Sequence, residues 1–288
     1  MELEKIIHKS NNKHLVICGA TATGKSELAV RLADKLDCII INADSMQVYK
    51  ELPLLTAQPL ESAIQHKLYG VISCQDEFSV NIWLNLVKNE LQNSTKRVIF
   101  VGGSGMYIKA LINGISQLPD ISQETRNFVY RLSMSGVDLH NMLASVDRPL
   151  AERVHKNDIK RIQRGLMVYY ETKVPLSQWH IENIGASKRD EFFLINKEVP
   201  RDLIYRNCNK RFLDSLYNGV LEEVENAIKV GCSSTASKIL GMEEIVAYLE
   251  NKSTLENSTI LAQQKIRNYA KRQLTWFRHQ FIYDCIVN

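Results

Sequence analysis

The stretch HLVICGATATGKSELAV, residues 14–30, joins a short apolar run, a glycine-rich loop and the start of an amphipathic helix. Its middle fits the pattern G-x-x-x-x-G-K-[ST], with the strand before it and the helix after it that a phosphate-binding loop needs. Backbone N–H groups and the helix N-terminus can hold phosphate oxygens there. Such a loop usually binds ATP, but the motif does not specify whether the phosphates belong to a nucleotide or to another diphosphate.

Every position of this loop is a candidate phosphate ligand. The predicted set is Gly19, Ala20, Thr21, Ala22, Thr23, Gly24, Lys25 and Ser26. Lys25 is expected to reach a terminal phosphate, and Ser26 is expected to ligate a Mg²⁺ ion that the diphosphate also holds.

A second apolar run, CIIIN, ends next to Asp44. A carboxylate in this position of a phosphate-loop protein can associate with the metal ion or act as a general base, and the strand itself does not decide between the two. Gln47 follows closely, and an amide can pair with the edge of a nucleic-acid base. The turn after this strand is therefore a candidate substrate-reading segment.

The order of apolar runs and helical patterns predicts the fold class. Residues 1–115 alternate short β-branched runs with helices, and EFFLIN, residues 191–196, reads as one more strand. Residues 116–190 read as helices with polar breaks, and helical patterns follow residue 196. We expect an α/β fold: a phosphate-loop, kinase-like parallel sheet with helices on both faces, made of residues 1–115 and 191–288, interrupted by a mostly helical insertion domain at 116–190.

Composition and charge exclude some classes of protein. The six cysteines are scattered without a C-x-x-C pair, so neither a disulfide framework nor a zinc site is expected. No apolar run approaches the roughly 18 residues of a membrane span, so we expect a cytoplasmic protein with no membrane partner. Residues 265–288 contain five Lys and Arg against one acidic residue, within a net charge of +4. That basic segment fits a polyanion partner or an ordinary solvated helix face about equally.

Six blocks of sequence carry a family resemblance. They are GATATGKSELA, INADSMQVYKEL, LLTAQP, VGGSGMYIKALINGI, VHKNDIKRIQRGLMVYYETKVPLS and IRNYAKRQLTWFR. In this order, the blocks resemble the tRNA dimethylallyltransferase (tRNA isopentenyltransferase) family along essentially the whole chain. The resemblance implies transfer of a dimethylallyl group from dimethylallyl diphosphate to N6 of adenosine 37 in the anticodon loop of tRNA, with Mg²⁺ as cofactor.

The resemblance also implies roles for particular residues. Asp44 would act as the base at the N6 amine, and Ser104 and Arg211 would complete the catalytic set. A flipped adenine and the surrounding RNA would contact a larger group. This group is Asp44, Ser45, Met46, Gln47, Thr56, Ser104, Arg126, Lys160, Arg161, Ile162, Gln163, Arg164, Lys271, Arg272 and Gln273. A monomer is the default expectation.

Several positions depart from the family pattern. Leu55 and Gln58 replace a glycine and a lysine, Asn207 stands where an arginine is common, and Met242 alters a segment often near RNA. Two alternatives stay open beside the transferase, and these changes motivate the second. One is a small-molecule phosphotransferase based on the phosphate loop alone, and the other is a catalytically weakened RNA-binding relative.

Overall fold

The computed structural model describes residues 2–59, 63–116, 118, 120–179, 183–184 and 189–288. The chain divides into two compact units, Met1–Ile112 with Ser187–Asn288, and Asn113–Ala186. We call them the α/β unit and the helical unit and describe each by itself. Parts of the predicted insertion, residues 117, 119, 180–182 and 185–188, lie outside the described residues.

The α/β unit is built on a six-stranded sheet in which all neighbouring strands are parallel. The strands of the chain are β1 His14–Cys18, β2 Ile39–Asn42, β3 His66–Lys67, β4 Val98–Val101, β5 Ile115–Ser116, β6 Asn183–Ile184, β7 Phe192–Lys197 and β8 Cys285–Val287. The sheet order is β3-β2-β4-β1-β7-β8. Leu15 of β1 pairs with Ile99 of β4 on one side and with Phe193 of β7 on the other. The central strands are continuous apolar runs because both faces of a parallel sheet are covered.

Helices surround this sheet and also form the helical unit. In the α/β unit they are α1 Glu2–Ser10, α2 Lys25–Leu36, α3 Pro53–Thr56, α4 Val80–Asn93, α5 Gly105–Asn113, α11 Arg201–Tyr217, α12 Val220–Val230, α13 Met242–Leu249 and α14 Leu255–Gln280. In the helical unit they are α6 Gln123–Met134, α7 Leu139–Val146, α8 Arg148–Ala151, α9 Ile159–Thr172 and α10 Leu176–Trp179. The predicted α/β class with a parallel sheet is confirmed.

The core of the α/β unit forms where α2 packs on the sheet. Leu28 and Leu32 of α2 join Leu15, Ile40 and Ile99 in one buried cluster. Burial of this apolar stripe stabilises both the helix and the loop that precedes it, since a twelve-residue helix is marginal alone. The phosphate loop is therefore held at both ends by the core.

The helical unit has a separate core. Val129 of α6, Leu143 of α7 and Ile162 and Leu166 of α9 are fully buried there. Asp147 is also buried, and its carboxylate accepts hydrogen bonds from the N–H groups of Leu150 and Ser177. That this unit binds tRNA stays a prediction.

Two details differ from the expectation. Helical patterns were expected to follow residue 196, but α14 ends at Gln280 and the chain then forms β8 beside β7. β8 and β3 have three and two residues, too few for periodicity to reveal. Among the described residues, no helix is long and apolar enough to cross a membrane.

Candidate active site

The phosphate loop lies between the end of β1 and the first residue of α2, and its backbone explains its glycines. Gly19 has φ +138° and Gly24 has φ +83°, both in the region that favours glycine. A Cβ on Gly19 would lie only 2.5 Å from the carbonyl oxygen of Lys197, at the end of β7. The loop therefore passes so close to β7 that a side chain at residue 19 would force the strands apart.

Lys25 is buried at the start of α2. Its Nζ donates a hydrogen bond to the carbonyl oxygen of Ala20 at 2.5 Å, and the Thr23 hydroxyl donates to the same oxygen at 2.9 Å. Burial lowers the pKa of Lys25 to about 8, although the nearby Asp44 carboxylate favours the charged form. An anion in the loop would stabilise the ammonium group, so the site is suited to a phosphate ligand.

Arg211 of α11 supplies a second cation. Burial lowers the pKa of its guanidinium, and Cys208 and Asp44 oppose that shift. Asn207, one turn earlier on α11, donates from Nδ2 to the carbonyl oxygen of Ala22 at 3.1 Å. Arg206 is exposed and is not part of the cavity lining, so Arg211 is the α11 arginine that faces the phosphate loop.

These residues line a cavity of about 280 Å³, which we call the phosphate-loop cavity. Part of its wall is polar and belongs to Thr21, Ala22, Gly24, Lys25, Ser26 and Arg211. Another part is mostly apolar and belongs to Met46, Leu55, Ala57, Ile239, Leu240 and Ile266. Asp44, Gln47 and Thr56 also line it. One cavity thus offers both an anion site and an apolar surface.

The turn after β2 holds Asp44 in place. Asn42 accepts a hydrogen bond from the Asp44 N–H at 2.8 Å and donates to the Asp44 carbonyl at 2.9 Å. Oδ1 of Asp44 accepts from the Met46 N–H at 3.0 Å. Its other carboxylate oxygen, Oδ2, accepts no hydrogen bond from the described residues. Asp44 can therefore accept a proton from a ligand in the cavity.

Ser104 is buried and tied to the same turn. Its hydroxyl accepts a hydrogen bond from the Ser45 N–H at 2.9 Å and donates to the Ser45 hydroxyl at 3.0 Å. It lines a second cavity of about 280 Å³, the Ser104 cavity, with Arg272 and Trp276. Tyr269 lines both cavities. The structure brings Ser104 next to the Asp44 turn, although Ser104 does not line the phosphate-loop cavity itself.

The predicted RNA contacts near β2 and α3 are partly used inside the protein. The Gln47 Nε2 group donates to the carbonyl oxygens of Thr56 and Ala57 at 3.0 and 2.7 Å. The Thr56 hydroxyl is buried and donates to the carbonyl oxygen of Leu52 at 2.6 Å. Both residues still line the phosphate-loop cavity, as do Asp44 and Met46.

The three residues of α14 that were predicted to contact RNA differ in their exposure. Lys271 and Arg272 are exposed, as an RNA contact requires. Gln273 is only 5% exposed, and its amide bonds to the phosphate loop and to Gly103. The expectation that Gln273 contacts RNA is therefore corrected: its amide is committed within the protein.

In the helical unit, the residues 160–164 that were predicted to contact RNA also differ in their exposure. Ile162 is fully buried in the core, so the expectation that it contacts RNA is corrected. Lys160 and Arg161 are exposed, and Gln163 donates from Nε2 to the Ser133 hydroxyl at 2.7 Å. Arg164 and Arg126 lie close together. Burial is the larger cause and the Arg126 charge the smaller cause of a lowered pKa of Arg164. Neither arginine forms an ion pair with another described residue.

One residue of the site was missed by the sequence reasoning. Tyr269 lines both the phosphate-loop cavity and the Ser104 cavity, and burial first and the Asp44 charge second raise its pKa. It precedes Arg272 by three residues and Gln273 by four, so helical spacing could have placed it on the same face.

The loop at the carboxyl end of β1, the buried Lys25 and the nearby Arg211 define the class of protein: a phosphate-loop α/β enzyme whose substrate carries phosphate groups next to an apolar part. A family model described as IPP transferase matches residues 47–280. The chain belongs to the IPP transferase family.

Individual proteins agree with the family match. A tRNA dimethylallyltransferase of Bartonella tribocorum is 40% identical over 278 residues, which are 92% of this chain and 95% of the relative. The crystal structure of a tRNA isopentenylpyrophosphate transferase from Bacillus halodurans superposes with a TM-score of 0.67 at 26% identity, covering 96% of this chain and 89% of that one. The structure of a eukaryotic dimethylallyltransferase acting on tRNA superposes with a TM-score of 0.76 at 26% identity, covering 92% of this chain and 69% of that one. The family assignment and enzyme class expected from the six blocks are confirmed.

Proposed function

We propose that this chain transfers a dimethylallyl group from dimethylallyl diphosphate to N6 of adenosine 37 in the tRNA anticodon loop, giving N6-isopentenyladenosine and diphosphate. Relatives of similar length carry the name of this reaction. The observation that carries the proposal is the phosphate-loop cavity, where an anion site, an apolar wall and the carboxylate of Asp44 occur together. A phosphotransferase would need the first of these features but not the apolar wall.

The polar part of the cavity would bind the diphosphate. As the allylic C–O bond breaks, its electron pair moves to the diphosphate, which gains negative charge. Lys25, Arg211 and the loop N–H groups other than that of Thr21 would stabilise that charge, and prearranged donors of this kind are worth about 10²–10³ in rate. The phosphate loop thus serves a leaving group in this chain instead of ATP.

Asp44 would accept the proton that the acceptor loses. The exocyclic amine of adenine is a weak nucleophile because its lone pair is delocalised into the ring. As the N6–carbon bond forms, one N6 proton moves to the free carboxylate oxygen of Asp44, and a positioned base of this kind contributes about 10²–10⁴-fold. Ser104 holds the turn that carries Asp44 through its two hydrogen bonds to Ser45.

The apolar wall would shield the reacting carbon. Leu55, Ile239 and Ile266 line the cavity, and a dimethylallyl group packed against them would displace water. Exclusion of water favours transfer to the amine over hydrolysis of the allylic carbon. Leu55 replaces a glycine of the family pattern, and its side chain adds to this surface.

The residues that line the phosphate-loop cavity fit a Mg²⁺ ion that would bind together with the diphosphate of the substrate. The described residues contain no cluster of three or more His, Cys, Asp or Glu that could hold a metal. Ser26 and Asp44 line the same cavity, and Mg²⁺ commonly takes only one or two protein oxygens beside substrate phosphates and water. When bound, the ion would neutralise part of the diphosphate charge, with Ser26 as its protein ligand.

We propose that the RNA lies against cations at the surface. Lys271 and Arg272 of α14 and Lys160 and Arg161 of the helical unit are exposed, and Arg126 and Arg164 of the helical unit are half-buried. Ser45, Met46 and Gln47 follow Asp44 directly and would read the extruded base. A tRNA substrate supports a cytoplasmic location, and a monomer is the simplest state because one chain forms the complete cavity.

The test is mass spectrometry of nucleosides from anticodon stem-loop RNA incubated with the protein, Mg²⁺ and dimethylallyl diphosphate. We expect a dimethylallyl mass gain on adenosine 37, and at least about 10² less product per unit time with Asp44→Asn, which keeps the shape of the side chain. RNA binding without any transfer at saturating donor would favour the weakened RNA-binding relative. A product phosphorylated from ATP would favour the phosphotransferase.

A further inference from the structure

Residues 271–273 were predicted to contact RNA, and Gln273 is the one of them that the proposed function does not yet use. It lies in the middle of α14, 5% exposed, beside the exposed Lys271 and Arg272. Burial of an amide costs free energy unless its donor and acceptor are both used. Its two partners therefore indicate why a polar residue occupies this position.

The partners belong to two separate loops. Oε1 of Gln273 accepts a hydrogen bond from the Thr21 N–H of the phosphate loop at 2.8 Å. Its Nε2 donates at 2.8 Å to the carbonyl oxygen of Gly103, the residue before Ser104. One amide thus links the loop that faces the diphosphate to the loop that carries Ser104.

The second loop is packed tightly against this amide. A Cβ on Gly103 would lie 2.3 Å from Nε2 of Gln273 and 3.4 Å from Oδ2 of Asp44. A side chain at residue 103 would therefore meet both the amide and the Asp44 carboxylate, and the absence of a Cβ lets both lie close to this loop. A shift of the amide would disturb the packing of this loop beside Asp44.

Tyr269, one turn earlier on α14, lies beside the same part of the site. It lines the Ser104 cavity together with Gln273 and Ser104, and the Ser104 hydroxyl in turn holds Ser45 next to Asp44. The same helix thus borders the Ser104 side and bonds to the phosphate loop through Gln273.

We propose that Gln273 is a positioning residue that sets the spacing between the leaving-group loop and the Asp44 and Ser104 pair. The inference rests on the proposed transfer, in which amine, allylic carbon and leaving oxygen must align. Well-aligned reacting atoms approach within about 3–3.5 Å, and a misplacement of about 1 Å can cost about 10²-fold in rate. Gln273 acts through Thr21 and Gly103 and does not touch the substrate.

Two variants and a matched control test whether Gln273 positions the two loops. Gln273→Met keeps the length of the side chain and removes both hydrogen bonds, and Gly103→Ala displaces the amide from the other side. Gln263→Met on the same helix is the matched control, because its Nε2 donates to the carbonyl oxygen of Asn209, away from both loops of the site. We expect single-turnover transfer at saturating RNA to fall about 10²-fold in the first two and less than about twofold in the control. The Kd for stem-loop RNA stays within about twofold of wild type, since one buried amide adds no phosphate contact.

Gln273→Glu separates positioning from general stability. Its carboxylate can accept from Thr21 but places negative charge against the Gly103 oxygen. When protonated, the carboxyl group can donate to that oxygen again. The ratio of the variant rate to the wild-type rate should therefore rise as the pH falls, which a merely structural role would not produce. A pH-independent ratio, unchanged turnover in Gln273→Met, or a loss confined to RNA affinity would each overturn the proposal.

A binding measurement keeps this inference distinct from the proposed function. If the wild-type chain transfers no dimethylallyl group, the function fails, but calorimetry with inorganic diphosphate still tests the link. Loss of one net hydrogen bond to the phosphate loop should weaken diphosphate binding about three- to tenfold in Gln273→Met relative to Gln263→Met. Equal affinities would contradict the positioning role.

Discussion

Lys25 and Arg211 at the phosphate-loop cavity and Lys271 and Arg272 on α14 carry the same charge in different surroundings. Burial lowers the pKa of Lys25 to about 8 and also lowers that of Arg211, whereas Lys271 and Arg272 are exposed. A charge in a low-dielectric cavity interacts strongly with one ligand at short range, and an exposed charge is weakened by water and salt. The first pair is suited to catalysis and the second to binding a long polyanion.

The helical unit shows an intermediate case. Arg126 and Arg164 are half-buried, close together and without an acidic partner in the part of the chain that the structure describes. Two like charges held in this way destabilise the free protein, and a phosphate group between them would relieve that repulsion. Burial of a cation therefore marks the places where the chain gives up stability for an anionic ligand.

The largest expected effect comes from removal of the buried lysine. Lys25→Met should lower the single-turnover rate about 10²–10³-fold, because the leaving diphosphate loses a prearranged cation. Lys35→Met on the same helix α2 is the control, since this lysine is exposed and pairs with Glu4 at the surface. A loss of less than about threefold in Lys25→Met would remove the distinction between the buried and the exposed cations.

The pH dependence of diphosphate binding sharpens the comparison. The folded-state pKa of Lys25, about 8, lies below its usual 10.5, so the free folded protein binds fewer protons than the unfolded chain between these values. This group therefore makes stability rise with pH across that window. Bound diphosphate favours the ammonium form, so its Kd should increase by up to about tenfold per pH unit above pH 8.

Calorimetry in two buffers of different ionisation enthalpy measures this proton uptake at pH 8.5. Lys25→Met should bind diphosphate with no uptake attributable to residue 25. An affinity that stays constant from pH 7 to 9.5 in the wild type would show that Lys25 is already fully charged in the empty cavity.

Neutralising the exposed pair should give a smaller and salt-dependent effect. Lys271→Gln with Arg272→Gln should reduce the slope of log K for RNA against log salt by about one unit per lost phosphate contact, with turnover at saturating RNA unchanged. Lys229→Gln serves as the control, because this exposed lysine of α12 pairs with Glu225. A wild-type slope in the double variant would place these two side chains away from the RNA.

The smallest effect concerns the arginine pair of the helical unit. Arg164→Gln should raise the free energy of unfolding by less than about 0.5 kcal/mol, because the repulsion from Arg126 is removed but water screens much of it at these half-exposed groups. The same change should weaken RNA binding. Urea denaturation and RNA titration measure the two effects, with the exposed Arg131→Gln as control. A loss of stability in Arg164→Gln would show that its packing contributes more than the repulsion costs.

For some of these residues the sequence could predict whether the side chain is buried or exposed, and for others it could not. Ile162 precedes Leu166 by four residues, the spacing of a buried helical stripe, so its burial among basic neighbours was predictable. Lys271, Arg272 and Gln273 are consecutive polar residues, and no periodicity distinguishes them. Successive residues of a helix point about 100° apart, so only the packing of α14 decides which one faces inward.

The sequence by itself determined the phosphate loop, the parallel α/β core and the family, because these depend on contiguous residues and local periodicity. Asp44 could be placed at the site for the same reason, since it follows a buried strand. Tertiary structure alone decided that Gln273 joins Thr21 to Gly103 and that Asn207 holds the loop at Ala22. These contacts connect residues up to 252 positions apart, and hydrogen bonds across such distances arise only when separate elements pack together.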